Sequence, residues 1–138
     1  MKKLFSIISL ILFLLFSFIS CEKDESNPII GKWEGISLRT IDYEDSEIVN
    51  DSTYTYESDE FVLEILAGGT CKSYKFAELD ETFDWKINGD IFSLIQGNNS
   101  RGAKFTIKED TLTMDFTSDW NEEGVEYRRV FYYIFKRI

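Results

Sequence analysis

Beyond residue 28 the chain alternates. Helical spacing is hard to find there, and apolar residues recur at every second position in short runs. Residues 31–40 read as a first strand. The stretch 52–66 reads as a second, rich in Tyr, Phe, Val and Ile. Its phase slips midway: Tyr54 and Tyr56 fall on even positions, Phe61, Leu63 and Ile65 on odd ones. A bulge near Ser58 and Asp59 reconciles the two halves. Gly68-Gly69 is a two-residue hairpin signal that pairs Leu63 with Tyr74 and Phe61 with Phe76. Asn88-Gly89 is a stronger one, pairing Trp85 with Phe92 and Phe83 with Leu94. Around Glu109-Asp110, Ile107 meets Leu112, Phe105 meets Met114 and Ala103 meets Phe116, with Thr106 and Thr113 on the outer face. Residues 125–137 form a long final strand, apolar on both faces from Val130 to Phe135, which requires cover on both sides or a strong bend.

The count is about eight strands, each following its neighbour. Three connections are tight turns, and four, at 42–51, 78–81, 96–102 and 118–124, read as longer polar loops. Tight and long connections alternate. This predicts an all-β fold, an eight-stranded antiparallel up-and-down barrel sealed at one end and open at the other. Eight strands enclose an interior that side chains fill or that holds one small ligand. The first strand starts at the sealed end, so the four polar loops build the mouth.

The first twenty-one residues have a different character. Lys2 and Lys3 precede an apolar run, which is followed by Ser20, Cys21 and the polar run Glu22-Lys23-Asp24-Glu25. This is the order of a secretory signal. The run of about sixteen residues is short for a retained spanning helix, which needs roughly 20. Phe18-Ile19-Ser20-Cys21 resembles the lipobox of bacterial lipoproteins. The resemblance implies cleavage before Cys21, acylation of that residue, and attachment to the outer membrane of a bacterial cell envelope. The acid-rich start after Cys21 also resembles the surface-export signal of some bacterial lipoproteins, which would leave the domain exposed at the cell surface. The expected organisation is a signal peptide at 1–20, a lipidated Cys and tether at 21–28, and the domain at 29–138.

Cleavage leaves 118 residues, enough for one domain with its own core. It removes two lysines and no acid, so the net charge of −10 becomes −12. Such a surface excludes nucleic acid as a partner and disfavours anionic headgroups. The chain has no histidine, which removes Ser-His-Asp and Cys-His chemistry and the His-based zinc sites. Cys71 is left without a disulfide partner and reads as a buried, inert thiol. The acids between Asp42 and Glu60 lack the spacing of a calcium loop and read as a solvated segment, so no metal and no cofactor is expected.

Gly31-Lys32-Trp33 resembles the G-x-W motif of lipocalins, and the domain from Ile29 onward is similar to the lipocalin-like domains of bacterial lipoproteins. The T-D-Y motif of that family is missing, which marks a looser relative. The resemblance implies that Gly31 and Trp33 form a structural motif under a basic residue of the last strand, here Lys136 or Arg137. It also implies a binding module rather than an enzyme, taking a small apolar molecule at the mouth. Tyr54, Tyr56, Phe76, Phe83, Leu94, Phe116 and Tyr127 are the candidate wall residues. The mouth loops carry eleven acids against Arg101 alone, which favours neutral or cationic ligands. The alternative is an interaction protein whose barrel is filled and holds no ligand.

Overall fold

The computed structural model describes residues 27–138. The signal segment, Cys21 and nearly all of the tether lie outside the described residues. Nine strands follow in order: β1 (Gly31–Glu44), β2 (Glu47–Thr55), β3 (Phe61–Ile65), β4 (Thr70–Lys75), β5 (Glu78–Asn88), β6 (Ile91–Gln96), β7 (Asn99–Lys108), β8 (Thr111–Glu122) and β9 (Val125–Arg137). Sequential strands pair antiparallel from β3 to β9, and β1 pairs with both β3 and β9. That last pairing closes an eight-stranded barrel. The seam sets Trp33 opposite Arg137 and Glu34 opposite Lys136.

β2 and β3 are the two halves of the strand expected at 52–66. Both lie on the same side of β1, β3 against Gly31–Glu34 and β2 against Ser37–Glu44. The break between them falls at the expected place, where Asp59 takes a left-handed φ of 61°. Glu34 holds that break: its carboxylate accepts the Asp59 N–H at 2.9 Å and the Ser58 hydroxyl at 3.0 Å.

Over Lys104–Lys108 and Thr111–Asp115 the β7–β8 hairpin has the register read from the sequence, with Phe105 opposite Met114, and the Thr106 and Thr113 hydroxyls hydrogen-bonded at 2.6 Å; the ladder stops at Lys104 and Asp115, short of the expected Ala103–Phe116 pair. The β5–β6 hairpin is displaced by two residues. Trp85 meets Leu94 and Ile87 meets Phe92, because Gly89 and Asp90 make the turn. A shift of two leaves every side chain on its face.

The β3–β4 hairpin slips by one, with larger consequences. Leu63 lies opposite Ser73 and Phe61 opposite Lys75. The loop is three residues long, closed by the Leu66 N–H on the Thr70 carbonyl at 2.9 Å, with Gly69 at φ 87°. A one-residue slip turns a whole strand over. Cys71 and Ser73 are therefore buried, and Tyr74 stands on the other face with its hydroxyl on Glu64 at 2.8 Å.

The four polar loops are not loops. The strands run on to two-residue turns at Asp45–Ser46, Phe76–Ala77, Gly97–Asn98 and Glu123–Gly124. Residues 42–51, 78–81, 96–102 and 118–124 are mostly exposed strand. Neither face of these segments is packed on a core, so apolar alternation has no reason to appear there.

The sealed end is filled. Trp33, Phe92, Ile29, Ile65, Leu112 and Cys71 are fully buried there, with Met114 and Phe135 just above.

Candidate functional site

The upper half of the barrel is hollow. Alternation along β5, β6, β8 and β9 sends Phe83, Leu94, Met114, Phe116, Phe131, Tyr133 and Phe135 inward, and these line a cavity of about 800 Å³ open at the mouth. Leu63 and Ser73 contribute from the short β3–β4 hairpin. The one-residue slip turns Ser73 rather than Tyr74 toward the interior, so a small side chain stands where a ring was expected.

A polar ring surrounds this apolar interior: Glu60, Lys75, Asp80, Glu81, Gln96, Asn99, Ser100 and Arg101. Lys75 is paired with Asp80 at 2.9 Å. Glu60 accepts the Tyr54 hydroxyl at 2.5 Å and the Glu57 N–H at 2.8 Å. Burial pushes the Tyr56 phenol up to about 12, helped by the nearby Tyr133 and Glu60. Burial also raises Tyr133, and the positive charge of Arg101 pulls it part of the way back. Both phenols are therefore neutral donors at physiological pH. Among the described residues, Arg101 and Glu81 make no ion pair within 4.0 Å.

The mouth is less one-signed than a count of its acids implies. Asp42 is bonded to Arg129, Asp51 to Arg39 and Asp119 to Arg128. These bonds hold Asp42 and Asp51 below the usual carboxylate range. Arg39, Lys75, Arg128 and Arg129 thus join Arg101 at this end, because long strands carry them up to the acids. Glu44, Asp45, Glu47, Glu78, Glu81, Glu122 and Glu123 have no such partner among the described residues.

Of the candidate wall residues, Tyr56, Phe76, Phe83, Leu94 and Phe116 line the cavity. Tyr54 does not. It lies on β2, its ring edge-on to Tyr56 at 5.2 Å between centroids. Tyr127 is also elsewhere, stacked on Trp120 at 5.4 Å near the tip of the β8–β9 hairpin, beside a shallower depression of about 480 Å³. Phe131, Tyr133 and Phe135 are wall residues that the alternation did not single out, since their strand is apolar on both faces.

At the sealed end the first and last strands meet as a motif. The Trp33 indole donates to the Ile29 carbonyl at 2.7 Å, and the Arg137 guanidinium covers the Trp33 ring. Arg137, not Lys136, is the covering residue; Lys136 is exposed. The family described as "Lipocalin-like domain" matches residues 29–114, well over half of the chain. The chain belongs to this lipocalin-like family. No curated protein and no solved structure gives a match. The family match ends within β8, yet β9 closes this lipocalin-like barrel and supplies Arg137. Members of such a family generally bind ligands rather than catalyse reactions, and the barrel has the form of a binding module. Among the described residues, no group of three or more Cys, Asp or Glu side chains is placed to hold a metal ion.

Proposed function

We propose that the protein is a lipid-anchored binding module that takes up a small, largely apolar molecule, neutral or cationic, at the open mouth of its barrel. The observation that carries this reading is the cavity of about 800 Å³, apolar within and polar at the rim. Its volume falls within the usual range for small-molecule sites, which combine an apolar lining with a few convergent polar groups. The seven mouth acids without an ion-pair partner among the described residues, together with a mature charge of −12, bias the mouth toward neutral or positive ligands.

The anchor belongs to the same reading. The chain enters at the sealed end, where Arg137 bonds the carbonyls of Pro28 and Ile30. An acylated Cys21 lies only a short tether away from that end. The mouth then points away from the outer membrane, toward whatever the envelope or the surroundings supply.

A fluorescence titration with matched anionic, neutral and cationic apolar probes at low salt tests the ligand class. Neutral and cationic probes are expected to bind more tightly, and tighter binding of the anionic probe would overturn the charge selection. Cys21→Ala tests the anchor. It is expected to release the domain from membranes or to leave an uncleaved precursor, and unchanged fractionation with unchanged mass would refute it.

A further inference from the structure

We infer that the ligand is a planar aromatic molecule, and that the ring of Phe76 closes over the face it leaves exposed at the mouth. The inference rests on the binding function proposed above and narrows it. Two independent observations support it.

The first is the composition of the wall. Eight of the twenty lining residues are aromatic, whereas the aliphatic ones are Leu63 and Leu94, joined by Met114. Rings present flat faces and polarised edges, and they pack against other rings in offset or edge-to-face geometry with a gain beyond area alone. A flexible acyl chain draws no such advantage from them. Ring faces also attract cations, which fits the free acids of the rim.

The second is the β4–β5 turn. Phe76 and Ala77 both adopt left-handed backbone, at φ 48° and 64°. A two-residue turn of this kind favours Asn and Gly, and a bulky residue there is strained. Phe76 is also 67% exposed, so its ring gains little from burial. The other mouth turns are Asp45–Ser46, Gly97–Asn98 and Glu123–Gly124, all polar or glycine-containing. The single apolar turn is the one whose side chain lines the cavity. Its position is fixed by the Phe76 N–H on the Glu60 carbonyl at 3.3 Å, which ties it to the segment that carries Tyr56. Strain combined with exposure is intelligible if the ring is completed by a ligand.

The test compares three probes on the mature domain: thioflavin T as a planar cation, Nile red as a planar neutral molecule, and the methyl ester of cis-parinaric acid as a neutral acyl chain, so that charge does not stand in for shape. The planar probes are expected to bind at least tenfold more tightly than the acyl probe. Phe76→Asn is expected to weaken the planar probes about tenfold while raising the melting midpoint by about 2–5 °C, since Asn tolerates the left-handed region. Ala77→Gly is expected to raise the midpoint with affinity unchanged. Equal or tighter binding of the acyl probe, or an unchanged affinity in Phe76→Asn, overturns the inference. If Phe83→Ala weakens every probe while Phe76→Asn weakens none, this inference fails while the binding function of the cavity stands. Failure of all three probes to bind the wild type removes the cavity reading and this inference together.

Discussion

The guanidinium carbon of Arg137 lies 4.1 Å from the centre of the Trp33 ring, and the two residues are register partners across the seam that closes the barrel. The same guanidinium reaches the Ile30 carbonyl at 3.0 Å and the Pro28 carbonyl. One side chain therefore joins the entering segment, the first strand and the last. A ring–cation contact contributes about 0.5–2 kcal/mol, and hydrogen bonds from a charged donor about 1.5–3 kcal/mol each. Arg137→Ala should destabilise the domain by about 3 kcal/mol, read as a lower urea midpoint. Arg137→Lys keeps the charge but loses the planar fork, and should recover less than half of that. A lysine variant as stable as the wild type would mean that charge alone suffices.

Gly31 is placed by the same contact. Its φ is 141°, and a Cβ added there would come within 2.7 Å of the Arg137 Nη1. Gly31→Ala should cost about 1–3 kcal/mol through backbone strain and displacement of the guanidinium. In the double variant with Arg137→Ala the displaced group is gone, so the two losses should add to less than their sum. A strictly additive cycle would place the whole effect in the backbone angle.

Glu34 gives a pH-dependent expectation. The Asp59 N–H and the Ser58 hydroxyl hold its carboxyl below its ordinary value of 4.5. The ionised form thus favours the folded 56–60 turn. That contribution is present above pH 4.5 and is lost as pH falls through the lowered value. The Asp59 amide should therefore lose exchange protection in acid, after correction for intrinsic rates, and Glu34→Gln should lower it at neutral pH. Equal protection in both proteins at pH 7 would sink the idea.

How far the sequence specified these features depended on whether each segment has one covered face. The halves of β7 and β8 next to their hairpin turn do, and their alternation is unbroken there, so Phe105 with Met114 and Ile107 with Leu112 were legible residue by residue. The closing seam was legible from the G-x-W motif and the terminal basic pair, although choosing Arg137 over Lys136 needed the strand's phase. The β3–β4 hairpin was not legible in register. Consecutive glycines permit either a two- or a three-residue loop, and Cys71 and Tyr74 offer an apolar residue to either phase. The mouth strands escaped detection because both of their faces meet water. For the same reason the rim charges were countable but their pairs were not, since Asp42 with Arg129 joins residues 87 apart. Phe131, Tyr133 and Phe135 were hidden by apolar neighbours on the opposite face.

Cys71 carries the last prediction. The one-residue slip places it inside, fully buried, opposite Phe83. Burial pushes its thiol up to about 12 from an ordinary 9.0, and the charge of Glu64 acts in the same direction. The unfolded chain gives up this proton near pH 9, whereas the folded chain keeps it until about pH 12. Below pH 9 both states hold the proton, and stability does not depend on it. Between those values only the unfolded chain is deprotonated, so stability falls as pH rises, by on the order of 4 kcal/mol across the window. Tyr56, raised from 10.0 to about 12, adds to the fall from about pH 10 upward. Cys71→Ala should be less stable than the wild type at pH 7, by roughly 1–2 kcal/mol for the small void it leaves. It should nevertheless lose less stability between pH 9 and 10, where the thiol acts before the phenols. Urea unfolding at half-unit steps from pH 7 to 11 reads both effects. Parallel profiles for the two proteins would assign the alkaline loss to the tyrosines and leave Cys71 without influence on it.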